Sequence, residues 1–134
     1  MTDAARYFGG PQGTPEKPGQ IIELASIEPF EFLQGLRFSP VVGDRVMVSF
    51  VTYEPNTVVP RHAHAEEQIS FVLEGEWEFD LDGDVRTFGP GTACVIPPFV
   101  PHAARTYDSG CVQVDVFAPP RAVLLDALRE RQEG

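Results

Sequence analysis

From Glu76 to Asp82 the chain reads Glu-Trp-Glu-Phe-Asp-Leu-Asp, an unbroken alternation of acidic and apolar side chains. A period of two puts the apolar residues on one face of a strand and the acids on the other, so one face is buried and one wet. Asp82-Gly83-Asp84 then supplies a sequence suited to a tight hairpin turn. Other short apolar stretches recur from Ile21 onward: IIELASI, VMVSFVTY, QISFVLEG, TACVIP and CVQVDVFA, separated by Val42-Gly43-Asp44, Glu54-Pro55-Asn56 and Gly89-Pro90-Gly91. Many short strands between Gly and Pro turns predict an all-β sandwich or barrel. Only the end departs from this pattern. After Pro119-Pro120, RAVLLDALRERQ sets Val123, Leu124, Ala127 and Leu128 at helical spacing, which predicts one short C-terminal helix over about 121–132, packed on the sheet. Residues 1–20 contain GGPQGTPEKPGQ and lack apolar periodicity; they read as a flexible N-terminal arm or a strap over a single domain spanning 21–134.

Composition narrows the function classes. A chain of 134 residues can bury a core without disulfides or a structural metal. Its 20 acids against 10 bases give a formal charge of -10, which repels nucleic acid and anionic membrane surfaces. Cys94 and Cys111 lie in apolar, strand-like contexts and read as small buried hydrophobes, not as a disulfide framework. No basic-then-apolar leader opens the sequence, and no apolar run nears the roughly 20 residues that span a bilayer. A soluble cytoplasmic protein is expected.

The three histidines carry the candidate chemistry. His62 and His64 in RHAHAEEQISFVLEG are one residue apart, so in a strand both imidazoles face the same way and make half a metal site. His102 lies 38 residues after His64, in PPFVPHAAR, where a proline-bounded turn leads into another short strand. Antiparallel pairing can bring it beside the first two.

RHAHAEEQISFVLEGEWEF resembles the first cupin motif, a His-x-His pair followed by an acidic ligand and a glycine that ends a hairpin. GPGTACVIPPFVPHAAR resembles the second, with its proline-led turn and single histidine. The resemblance covers roughly Val46 to Phe117. It implies a double-stranded β-helix, or jelly roll, with one divalent metal ion held inside by His62, His64, His102 and a further ligand. In the glutamate position stands Gln68, with six residues between it and Gly75; Glu66 and Glu67 come too early, and Glu67 faces the opposite side of the strand. Gln68 either ligates through its carbonyl oxygen or only hydrogen-bonds at the strand start. As a ligand it adds no charge, which favours Lewis-acid chemistry over holding higher oxidation states. Imidazoles with a carbonyl suit zinc, nickel, iron, copper and manganese. Phe99 stands where glycine is frequent in the second motif, and Thr106 where asparagine is frequent.

A second constellation lies in CVQVDVFAPPR. Val112, Val114 and Val116 share one face and suit a buried layer; Cys111, Gln113, Asp115 and Phe117 share the other. An aspartate in an apolar strand is costly to bury unless paired or functional. Either Asp115 pairs with Arg121 and pins the helix start, or it is a general acid/base beside the metal, with Arg121 gripping an anionic substrate group and Phe117 forming an apolar wall. The triplet with Gln68 is similar to the KdgF-type cupins of pectin and alginate breakdown, which open unsaturated monouronates to linear keto forms. That resemblance implies a redox-neutral metal enzyme acting on a small carboxylated sugar. A cupin dioxygenase with an iron-type three-histidine site, or a non-catalytic binding module, are the alternative readings. A homodimer through outer strand faces is the expected assembly.

Overall fold

The computed structural model describes residues 2–133. After a short exposed helix α1 (Asp3–Gly9) and a single 3-10 turn (Leu24–Ser26), ten strands follow: β1 (Phe30–Leu33), β2 (Leu36–Val42), β3 (Met47–Tyr53), β4 (Val58–His62), β5 (Glu67–Gly75), β6 (Trp77–Leu81), β7 (Asp84–Phe88), β8 (Ala93–Ile96), β9 (His102–Arg105) and β10 (Cys111–Ala118). Helix α2 (Ala122–Glu133) closes the described chain. All pairings are antiparallel, in a six-stranded sheet ordered β1-β2-β3-β10-β5-β8 and a four-stranded sheet ordered β4-β9-β6-β7. The expected all-β jelly roll with a short C-terminal helix is therefore present. None of the described helices is long and apolar enough to cross a membrane.

Local chemistry explains the elements. Trp77 and Phe79 are buried while Glu78 between them and Asp80 after them are more exposed, as the alternation predicts. Asp82 and Gly83 both take positive φ, 49° and 94°, and make a two-residue turn between Leu81 and Asp84. Gly75 also holds a positive φ, and a side chain there would collide with the Gly110 carbonyl.

The core lies between the sheets. Leu36, Val51, Val72, Trp77, Phe79 and Ile96 belong to its main cluster, and Met47, Phe117 and Leu124 form a second where α2 packs on the barrel mouth. Burying each such side chain contributes on the order of 1.5–3 kcal/mol.

Three expectations are corrected. IIELASI is not a strand: Ile21 is exposed, and the first strands come later, at Phe30–Leu33 and Leu36–Val42. His64 lies beyond the end of β4, in the loop before β5. The valine face of β10 is buried only in part: Val114 is buried, but Val112 and Val116 are half-buried, while Cys111, Gln113, Asp115 and Phe117 on the other face are all buried. Within residues 1–20, α1 forms because the Thr2 hydroxyl accepts the Ala5 N–H at 3.1 Å; residues 2–20 are exposed throughout.

Candidate active site

The register of the sheets brings the distant motifs together. His62, closing β4, is the direct partner of His102, opening β9. His64 joins them from its loop, whose carbonyl accepts the Phe99 N–H at 2.8 Å. Ring centroids stand 4.3 Å apart for His62 and His102, 5.0 Å for His64 and His102, and 5.8 Å for His62 and His64. One ligand atom from each ring can lie within 4.8 Å of the others, so the three histidines can hold a metal ion.

The imidazoles are oriented from behind. Nδ1 of His62 faces the Pro60 carbonyl at 2.7 Å, Nδ1 of His102 the Val100 carbonyl at 2.9 Å, and Nδ1 of His64 the Glu66 carbonyl at 3.0 Å. Each carbonyl accepts an Nδ1–H, which leaves Nε2 with its lone pair as the ligating atom. Burial first, then neighbouring positive charge, lowers the His64 pKa; burial likewise brings His102 to about 4. Both rings are neutral near pH 7, the state that binds metal.

Two observations test the fit of a cation. Nε2 of His102 is buried without a hydrogen-bond partner. Nε2 of His64 stands 3.0 Å from Oε1 of Gln68. Gln68 is fixed in this orientation because its Nε2 donates to Ser70 Oγ at 2.8 Å and to Asp115 Oδ1 at 3.2 Å. A neutral His64 has one N–H for two acceptors, the Glu66 carbonyl and the Gln68 amide oxygen. Positive charge at this point satisfies both, and the donor set fits a divalent ion.

Asp115 sits behind Gln68, 5 % exposed, between Ser49 of β3 and Ser70 of β5. Oδ1 accepts the Ser70 hydroxyl at 2.6 Å, and Oδ2 accepts Nε2 of Gln113 at 3.3 Å. Burial raises its pKa to about 6, against the opposing pull of the Ser70 and Gln68 hydrogen bonds. Phe117 lies edge-on to His64 at 5.8 Å.

Arg121 lines the same cavity but does not pair with Asp115. Its Nη1 stands 3.5 Å from Oε1 of Glu66, whose Oε2 accepts the Ala122 N–H at 2.8 Å. Glu66 therefore pins the start of α2. Burial works against its charge, but the Ala122 N–H and the Arg121 guanidinium hold its carboxyl below the ordinary range. Thr106, in the asparagine position, is fully buried; its hydroxyl donates to the Glu54 carbonyl at 2.6 Å and accepts the Thr57 N–H at 3.1 Å, tying β9 to the turn before β4.

Ser70, Gln113 and Glu66 escaped the sequence reading. The first two carried a signal, since each is polar and two residues from a site residue on the same inward face. Glu66 carried none, because its partners come from the far end of the chain. Burial raises Cys94 to about 11 and Cys111 to about 12, so both thiols stay protonated near neutral pH.

Comparison with known proteins places this geometry. A stretch of 64 residues, 46% of this chain and 32% of the relative, is 42% identical to dimethylsulfoniopropionate lyase DddQ of Ruegeria pomeroyi. The pectin degradation protein KdgF of Dickeya dadantii is 28% identical over 83 residues, 61% of this chain and 76% of that protein. The chain spans about a third of the length of the first curated relatives it matches, at 32%, 37% and 29%. Among solved structures, KdgF from Halomonas sp. superposes with a TM-score of 0.75 at 24% identity, covering 80% of this chain and 99% of that one. Residues 49–117 match the family described as Cupin domain. The strands, both histidine motifs and the matched residues coincide, and the chain belongs to the cupin family.

Proposed function

We propose that this chain is a metal-dependent, redox-neutral enzyme that moves a proton on a small carboxylated substrate. The observation that carries this reading is the hydrogen bond between Gln68 and Asp115, which couples a buried carboxylate to the face of the three-histidine cluster. His62, His64, His102 and Gln68 would hold the ion; a divalent ion there supplies Lewis acidity toward a substrate oxygen.

The remaining work falls to the protein. Asp115, raised to about 6, lies close enough to neutral pH to serve as both base and acid. Its Oδ1 is anchored by Ser70 and Gln68, while Oδ2 has only the longer Gln113 contact and is the freer oxygen for a proton in transit. Arg121, held at the cavity by Glu66, offers its guanidinium to a substrate carboxylate. Phe117, edge-on to His64, supplies an apolar wall beside that histidine. The name of the DddQ relative, a lyase, also fits chemistry without net oxidation.

Unsaturated uronates, the substrates that the KdgF-type resemblance implies, and small oxo acids make the first trial set. Metal-loaded protein is incubated with each in deuterated water without oxygen and followed by NMR. Carbon-bound deuterium or ring opening is expected, and Asp115→Asn should slow it at least about 100-fold. A reaction that proceeds only with oxygen uptake contradicts the proposal.

A further inference from the structure

Behind the histidines runs a cavity of about 350 Å³, large enough for a compact ligand. The polar side chains that line it are drawn into one network. His62, His64, His102, Gln68 and Asp115 meet at the metal face. Glu66, 3.5 Å from both His64 and Arg121, brings the guanidinium beside them. Tyr53 and Gln113 also line the cavity, but the Gln113 amide nitrogen reaches the Tyr53 hydroxyl and Asp115 Oδ2, each at 3.3 Å. The rest of the lining is aliphatic and aromatic.

Strand β1 adds to this hydrocarbon by breaking its own alternation. It is the edge of the six-stranded sheet, and its pairing with β2 slips: Glu31 faces Arg37 and Leu33 faces Leu36, which leaves Phe32 as an extra residue. Such a β-bulge re-aims side chains. Regular alternation would put Phe32 and Leu33 on opposite faces; here both line the cavity, together with Leu36 and Phe38 of β2. The Phe32 ring meets Phe38 edge-on at 6.2 Å. Phe38 in turn packs on the Met47, Phe117 and Leu124 cluster, which joins these rings to the base of α2. Phe32 stays 50 % exposed and Val123, two residues after Arg121, 45 %; both line the cavity, so its opening is apolar.

From this arrangement we propose that Phe32 is a specificity-determining residue: its ring covers the hydrocarbon body of a substrate whose carboxylate reaches Arg121, and so selects compact acids with an apolar body over sugar acids. The proposal rests on the reading of this cavity as the substrate site and narrows its substrate class. A uronate carries hydroxyls around its ring, and the side chains of Leu33, Leu36, Phe38 and Val59 offer them no partner. An acid with a phenyl or alicyclic body meets those walls with carbon. An aromatic ring left half in water also has apolar area to gain when a ligand covers it.

The test is a pair of calorimetric titrations of the zinc-loaded full chain, with phenylpropanoate and with glucuronate. Phenylpropanoate is expected to bind at least about tenfold tighter. Phe32→Ala removes the ring and Phe32→Gln replaces it with a polar side chain; each should cut the preference to about threefold or less by weakening phenylpropanoate. Phe32→Leu keeps an apolar side chain at the bulge and should retain most of the preference. Zinc uptake equal to that of the unaltered chain checks that each variant folds. The ranking of the two acids by the unaltered chain stands alone as a test if a variant folds poorly. The proposal is overturned if glucuronate binds as well as phenylpropanoate, if neither acid binds, or if folded Phe32→Ala or Phe32→Gln keeps the full preference. Those results leave the proton-transfer reading standing; that reading fails separately, if Asp115→Asn leaves deuterium incorporation unchanged.

Discussion

The amide oxygen of Gln68 stands 3.0 Å from Nε2 of His64, while the amide nitrogen of the same side chain donates to Asp115 at 3.2 Å. One neutral residue thus links the metal face to the carboxylate behind it. Gln68→Glu replaces this donor with a second carboxylate. The added charge should tighten metal retention about tenfold in chelator competition and push Asp115 further up through like-charge repulsion. Proton transfer at neutral pH should fall by about the same factor, because Asp115 then stays protonated. Unchanged metal affinity and turnover would place Gln68 outside the site.

Asp115 makes stability depend on pH. Its pKa is 3.8 when exposed and about 6 when buried in the fold. Below both values the group is neutral in the folded and unfolded chain. As pH rises from about 4 to 6 the unfolded state ionises first and stability is lost, by up to about 3 kcal/mol above that window. Metal-free Asp115→Asn should therefore melt higher than the unaltered chain at about pH 8, with the gain vanishing at about pH 4. Thermal melts at both pH values check this; an identical difference at the two contradicts the assignment.

Glu66 ties Arg121 to the first turn of α2 through the Ala122 N–H. Glu66→Gln should cost about 1–2 kcal/mol in denaturant unfolding, from the weakened helix-start contact and the unpaired guanidinium. With Arg121 no longer held, KM for a carboxylated substrate should rise more than kcat falls. A change confined to kcat would assign Glu66 a different role.

Phe99 holds φ at 65° while its N–H donates to the carbonyl of His64. A bulky residue pays for this left-handed backbone, and Phe99 is exposed, with little packing to lose. Phe99→Gly should raise stability by up to about 1 kcal/mol without changing metal uptake, as read by thermal melting and metal titration. A loss of stability would mean the aromatic ring does more than cover the turn.

Much of this was legible along the chain because it is local. The alternation from Trp77 to Leu81 and the Asp82-Gly83 turn read directly as a hairpin. His62, His64 and His102 were found from their types and spacing, although His64 reaches the cluster from a loop and not from a shared strand face. What escaped is set by pairing between distant segments. The surroundings of Asp115 depend on the neighbours β3 and β5, so the sequence offered both a pairing with Arg121 and a place beside the histidines without choosing between them. Arg121 finds Glu66, 55 positions earlier, because α2 folds back over the barrel mouth. β2 carries Pro40 within a strand and hid its regularity.

The most direct test is a calorimetric titration of zinc into metal-free protein, run beside the double variant His62→Ala with His64→Ala. The account predicts one ion per chain for the unaltered protein, no uptake by the variant, and an intact β-rich circular dichroism spectrum for both. Equal zinc uptake by the folded variant would contradict it.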